Sequence, residues 1–152
     1  MPILNPMEPG DVPYPQYSVT TTQRIAAGVT ILKGRVYSKN TLGELIVNVG
    51  TLVKGIFQAK ATPTVNVPAL AGDEVQVLGP RSRMLFVDFA GGLVEGDLVV
   101  NNSDSDEVIV TLSTTDPEFV GRVFEIYTRN TDATRKLVAA TGDLVVVESV
   151  GP

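Results

Sequence analysis

Hydrophobic positions in the stretch AGDEVQVLGPRSRMLFVDFAGGLVEGDLVVNN, residues 71–102, arrive in two rhythms. Val75 and Val77 alternate with Glu74 and Gln76, the period of a strand with one buried face. The runs at 84–87 and 98–100 are instead apolar at every position, so both of their faces need cover. Gly72-Asp73, Gly79-Pro80, Gly91-Gly92 and Gly96-Asp97 punctuate these runs as turns. Turn, strand, turn, strand is the grammar of the whole chain.

The same reading continues on both sides. Before the central stretch, strands are expected from Val19 to Thr22 and over 29–32, 35–38, 44–49 and 52–59. Thr62-Pro63 and Val67-Pro68 allow 64–67 to be at most a short edge strand, because proline cannot donate to a ladder. After it, strands are expected over 108–112, 119–127, 136–139 and 144–150, separated by polar turns at 101–107, 114–118 and 129–135. Helical windows with a 3.6-residue apolar stripe are missing. Short strands between Gly, Pro, Asn and Asp turns predict an all-β domain, a small barrel or sandwich, over residues 17–152. Gly-Asp before an aliphatic run recurs at Gly72-Asp73, Gly96-Asp97 and Gly142-Asp143 at irregular spacing, which is reused turn chemistry and not a solenoid repeat.

Residues 1–16 differ from the body. Pro2, Pro6, Pro9, Pro13 and Pro15 favour an extended segment without regular ladders. Ile3, Leu4, Met7, Val12 and Tyr14 make it too apolar for a solvated tail. The segment reads as an arm that docks on a neighbouring surface through those side chains, its prolines lowering the entropy lost on ordering.

Composition narrows the functional classes. The net charge of −5, with scattered Lys and Arg, disfavours nucleic-acid binding, which needs a clustered basic surface. Cysteine and histidine are both absent, removing thiolate chemistry, the commonest metal ligand and the usual partner of a nucleophilic serine. No apolar run reaches the roughly 20 residues of a membrane span, and no basic segment precedes an apolar one at the start. The chain is expected to bind no membrane, metal or cofactor, and to lack a secretory signal.

Two stretches invite chemistry. Asp104, Asp106 and Glu107 could hold calcium, but they lack the glycine and the distal carboxylate of an EF-hand loop and read better as a hairpin tip. Gly79-Pro80-Arg81-Ser82 resembles the Pro-Arg-Ser motif of trimeric dUTPases, all-β enzymes in which this segment contacts nucleotide phosphates. That resemblance implies phosphate-binding roles for Arg81 and Ser82. The aspartate-bearing segment and the C-terminal glycine-rich lid of that family have no counterpart. The alternative is a β-turn cornered by Pro80, with Arg81 or Arg83 in an interface ion pair. Residues 98–100, 108–110 and 144–147 are likewise apolar consecutively and not alternately, and such two-faced runs call for a second sheet, the arm or another subunit; an oligomer accounts for both runs and arm. A barrel carrying a small apolar ligand is a further option.

A broader likeness spans residues 27–150. The segments GVTILKGRVYS at 28–38, KGIF at 54–57, AGDEVQV at 71–77, GLVEGDLVV at 92–100, VGRV at 120–123 and 142–147 resemble the capsid decoration (cement) proteins of tailed phages. The likeness lies in the cadence of strands entered through Gly-Asp turns. It implies a β-rich, non-enzymatic homotrimer on the outer capsid surface of the virion, bound to the major capsid protein, with an arm reaching neighbours or shell. A dUTPase-like nucleotide hydrolase is the alternative.

Overall fold

The computed structural model describes residues 8–14, 16, 20–30, 32, 34–47, 57–59, 74–78, 81–102, 105–113, 115, 119–129 and 134–149. The chain is all-β. The strands are β1 (Thr20–Arg24), β2 (Val36–Lys39), β3 (Leu45–Val47), β4 (Phe57–Ala59), β5 (Glu74–Leu78), β6 (Arg83–Asp88), β7 (Leu98–Asn101), β8 (Glu107–Val110), β9 (Phe119–Tyr127), β10 (Arg135–Lys136) and β11 (Leu144–Ser149).

The first five strands form one antiparallel sheet in the order β1-β5-β4-β2-β3. Its two edges approach each other where Ile25 and Leu45 form a parallel bridge and the Ala26 amide donates to the Leu45 carbonyl. Ile25, Tyr37, Leu45, Val75 and Val77 make one buried cluster on this sheet. Val36 and Leu78 instead join the core of the second unit.

That second unit is a closed five-stranded barrel. β9 pairs with β11, β11 with β6, β6 with β8, β8 with β7, and β7 returns to β9. Only the short β6–β8 pair is parallel. Met84, Phe86, Val99, Val108, Val120, Val123, Ile126, Val145 and Val147 belong to its core, capped by Leu93 and Ala139. Leu85, Val87, Leu144 and Val146, on the opposite faces of β6 and β11, are equally buried, in a separate cluster with Tyr127. The apolar runs of β6 and β11 are therefore covered on both faces within one chain and by themselves call for no partner subunit. Leu98 of β7 is only partly buried, and Val110 of β8 is 56% exposed, so those two runs keep an open face.

Strand β9 departs from simple alternation. Its register slips against β7 between Gly121 and Phe119, and against β11 between Glu125 and Val123. These bulges let Val120, Val123 and Ile126, three residues apart, all face the core. The extra residue, Phe124, packs on the outer cluster beside Tyr127.

A single turn device occurs three times and starts two of the strands, β7 and β11. In Glu8–Asp11, Val94–Asp97 and Ala140–Asp143, the aspartate amide donates to the first residue's carbonyl and the aspartate Oδ2 accepts from the first residue's amide. The intervening Gly10, Gly96 and Gly142 have φ of 91°, 94° and 87°, as a type II turn requires at its third position. Each glycine amide then donates to one residue of a barrel strand, whose own amide donates to the following aspartate carbonyl. The residues so paired are Leu85, Val123 and Asp88. This is the G1 bulge. Two of these turns were legible as Gly-Asp dipeptides. Gly10-Asp11 was not, because prolines flank it.

Some expected strands are different in outline. Val29 and Thr30 form no strand, and the Leu32 amide is satisfied by the Tyr37 phenol oxygen at 2.8 Å instead of a ladder. β8 stops at Val110, and β10 spans two residues before Val138 makes a lone bridge to Val94. The expected edge strand at 64–67 lies outside the described residues.

Candidate functional site

Residues 8–14 lie on the chain's own barrel. β8 pairs only with the end of β6, leaving Leu85 open, and the Glu8–Asp11 turn fills that place. The Gly10 amide donates to the Leu85 carbonyl at 2.8 Å, and the Leu85 amide to the Asp11 carbonyl at 3.0 Å. Val12 packs against the barrel core. Gly34 is also fitted to this segment, since a Cβ there would come within 3.1 Å of the Pro9 carbonyl oxygen. The arm was expected to be held on a neighbour by side chains without a ladder. Over residues 8–14 it is seated in cis, with backbone bonds. Ile3, Leu4 and Met7 lie outside the described residues.

Tyr14 completes the seat. Its phenol donates to Glu125 Oε1 at 2.5 Å, and the Tyr127 phenol donates to Glu125 Oε2 at 2.7 Å. Glu125 and Tyr127 share one face of β9 because they are two residues apart. The Glu125 carboxylate is buried, so both phenols replace water that burial has removed. Burial, and after it the bond to Glu125, raises the pKa of both phenols. Ionising either one would put a second negative charge against a buried carboxylate.

Arg83 and Arg135 flank this pair. Arg83 Cζ lies 3.7 Å from the Phe124 ring centroid and 5.8 Å from that of Tyr14, and its Nε donates to Glu148 Oε2 at 3.0 Å. Tyr14 and Phe124 meet edge to face, with centroids 6.2 Å apart. Arg135 Nη1 is 3.5 Å from Glu125 Oε2, and its Nη2 is 3.7 Å from Glu95 Oε2. Together Tyr14, Arg83, Glu95, Phe124, Glu125 and Arg135 line an open cleft of about 500 Å³. The β9 bulge at Phe124 builds it by setting an aromatic and a carboxylate side by side. That irregularity has no sequence signature here beyond the length of the run.

The Arg-Ser lead resolves into two different environments. Arg81 is exposed, has φ 65°, and donates its amide to the Ser149 carbonyl. Ser82 is fully buried, and its carbonyl accepts from the Ser149 amide. The two side chains therefore do not present one surface to a phosphate. Arg83 is held within its own chain by Phe124 and Glu148. At the hairpin tip, Asn101 donates its amide to the Ser105 and Glu107 carbonyls, while Asp104 lies outside the described residues. Among the described residues no group of three or more acidic side chains is arranged to hold a metal ion. Nor, among them, is any helix long and apolar enough to cross a membrane.

No protein-family model matches the chain, and no curated protein matches it at a level that marks a relative.

Proposed function

We propose that the chain is a viral capsid decoration protein, a homotrimer that binds the outer surface of a tailed-phage head. In this reading it stabilises the shell by bridging neighbouring copies of the major capsid protein. One observation carries the proposal: large aliphatic side chains are left in water on an otherwise closed fold. Leu112 is fully exposed, Leu137 is 85% exposed and Leu42 is 81% exposed. They do not all stand alone. Val110 and Leu112 leave the end of β8 together, while Val138 follows Leu137 and is bridged to the partly exposed Val94. Adjacent exposed aliphatics of this kind mark interaction surfaces. Covering each one would contribute roughly 1.5–3 kcal/mol.

The barrel supplies the second requirement of a clamp, resistance to deformation, through a core buried on both faces of β6 and β11. The cadence of strands and Gly-Asp turns, which resembles that of decoration proteins, supports the same reading. The action is mechanical and catalyses nothing. The protein is made in the host cytoplasm and works on the virion surface.

The test is light scattering of the purified protein, followed by co-sedimentation with undecorated heads of its own phage. A trimer that saturates the heads is expected. Leu112→Glu and Leu137→Glu should weaken assembly or head binding without lowering the melting temperature, because neither side chain is in the core. A monomer at micromolar concentration that fails to bind heads overturns the proposal.

A further inference from the structure

The cleft beside Tyr14 has a composition that the capsid reading does not use. Its charges are of both signs and interleaved. Arg83 and Arg135 stand among Glu95, Glu125 and Glu148. An anion attracted to Arg135 would meet Glu95 beside it, and a cation attracted to Glu95 would meet Arg135. A neutral polyol suffers neither conflict, because each hydroxyl both donates and accepts.

The Arg135–Glu95 pair is suited to such a ligand. The side chains are 59% and 64% exposed, and their 3.7 Å contact is too long for a hydrogen bond. The guanidinium therefore retains donors and the carboxylate retains acceptors, side by side, at the spacing at which neighbouring hydroxyls of a sugar ring could span them. The partly exposed Tyr14 ring adds apolar wall for the C–H face of the same ring, while the Phe124 face is already taken by Arg83.

The rest of the cleft is already fixed. Glu125 is held by Tyr14 and Tyr127, and Arg83 is held by Phe124 and Glu148. A ligand would therefore bind without ordering these groups first. We propose that the cleft is a binding site for a neutral saccharide, one or two sugar units long. Arg135 and Glu95 engage neighbouring hydroxyls, and Tyr14 supplies the apolar wall. The volume of about 500 Å³ and the open mouth suit a short piece of a longer glycan.

The site is independent of the capsid reading, so its test uses the isolated full-length protein. Amide NMR spectra are followed while cellobiose, maltose, lactose and N,N′-diacetylchitobiose are added in turn. At least one should shift the resonances of Glu95, Phe124, Glu125 and Arg135 saturably, with a dissociation constant on the order of 1 mM. Glu95→Gln and Arg135→Gln should each weaken that response about tenfold. Both side chains are exposed, so unchanged spectra elsewhere report an intact fold. Inorganic phosphate and free arginine serve as charged probes. The proposal is overturned by a saturable response confined to either of them, by no response to any of the sugars, or by a sugar response that both variants leave unchanged.

Discussion

The Tyr14 phenol donates to Glu125 across 111 residues of sequence, joining the proline-rich arm to a buried carboxylate of β9. The contact gives the arm a structural duty that its composition does not reveal. A buried carboxylate that loses a donor bears the full cost of its missing partner. Tyr14→Phe keeps the ring against Phe124 and removes only the hydroxyl. It should lower stability to urea by about 1–3 kcal/mol with an unchanged denaturant slope. Equal midpoints for the two proteins would mean that the hydroxyl contributes nothing.

The same cluster predicts an alkaline limit. The folded-state pKa values of Tyr14 and Tyr127 are raised, first by burial and then by Glu125, above the ordinary phenol value of 10.0. A group whose folded pKa is raised contributes stability that is complete below its unfolded pKa and lost as pH rises through the folded value. Stability should therefore hold up to about pH 10 and fall above it. Tyr14→Phe should make that fall shallower, which unfolding curves collected across the alkaline range would read.

Asp143 sets the opposite limit. Burial alone would raise its pKa, but the Lys136 ammonium at 2.6 Å and the Ala140 amide outweigh burial and lower it below the usual 3.8. The stability it contributes is present above the unfolded pKa and is lost as pH falls through the folded one. Asp143→Asn can still accept from Ala140 but gives up the charge paired with Lys136. Its stability should decline less between neutral pH and pH of about 3 than that of the parent protein. Parallel acid profiles for parent and variant would refute the assignment.

Much of this architecture was legible because its strands obey local rules. Val75 and Val77 alternate with polar neighbours and are buried in β5, and the run at 119–127 is a single strand. The both-faced burial of β6 and β11 was also legible. What covers them was not, since cover depends on the path of distant segments. The arm was misread for a similar reason. Its prolines suggested a chain without ladder bonds, yet Gly10-Asp11 carries the same turn as Gly96-Asp97 and Gly142-Asp143. The cleft was hidden altogether, because a one-residue bulge at Phe124 decides which side chains of β9 stand together.

Two glycines separate conformational strain from steric fit. A Cβ at Gly142 meets nothing, but its φ of 87° is costly for an L-residue, so Gly142→Ala should cost about 1–2 kcal/mol. Gly121 lacks that constraint, yet a Cβ there would lie 2.0 Å from the Glu148 carbonyl oxygen. Backbone cannot yield as a side-chain tip does, so β9 and β11 would have to part. Gly121→Ala should be the more damaging change, at about 3 kcal/mol or more by chemical denaturation. The reverse order would show that the close approach of these strands is not a fixed feature.

The arm gives the most demanding test. Removing residues 1–14 leaves the Leu85 amide and carbonyl without Asp11 and Gly10, the barrel core without Val12, and Glu125 without Tyr14. Each unpaired buried group costs about 1–3 kcal/mol where water cannot reach it, and Val12 adds a partial apolar contribution. The strand pattern from Val19 onward reads as self-sufficient in sequence, but beyond the short pairing with β8 the Leu85 amide and carbonyl of β6 find their partners only in the arm. The truncated protein should therefore be less stable by several kcal/mol even as a dilute, unassembled chain. Val12→Ala in the full-length protein should reproduce a smaller part of that loss, about 1 kcal/mol, because Val12 is only partly buried. Urea unfolding at two protein concentrations separates this effect from assembly, since a seat within one chain gives a loss independent of concentration. If the loss instead appears only at concentrations where the protein associates, the arm stabilises a neighbour and not its own barrel.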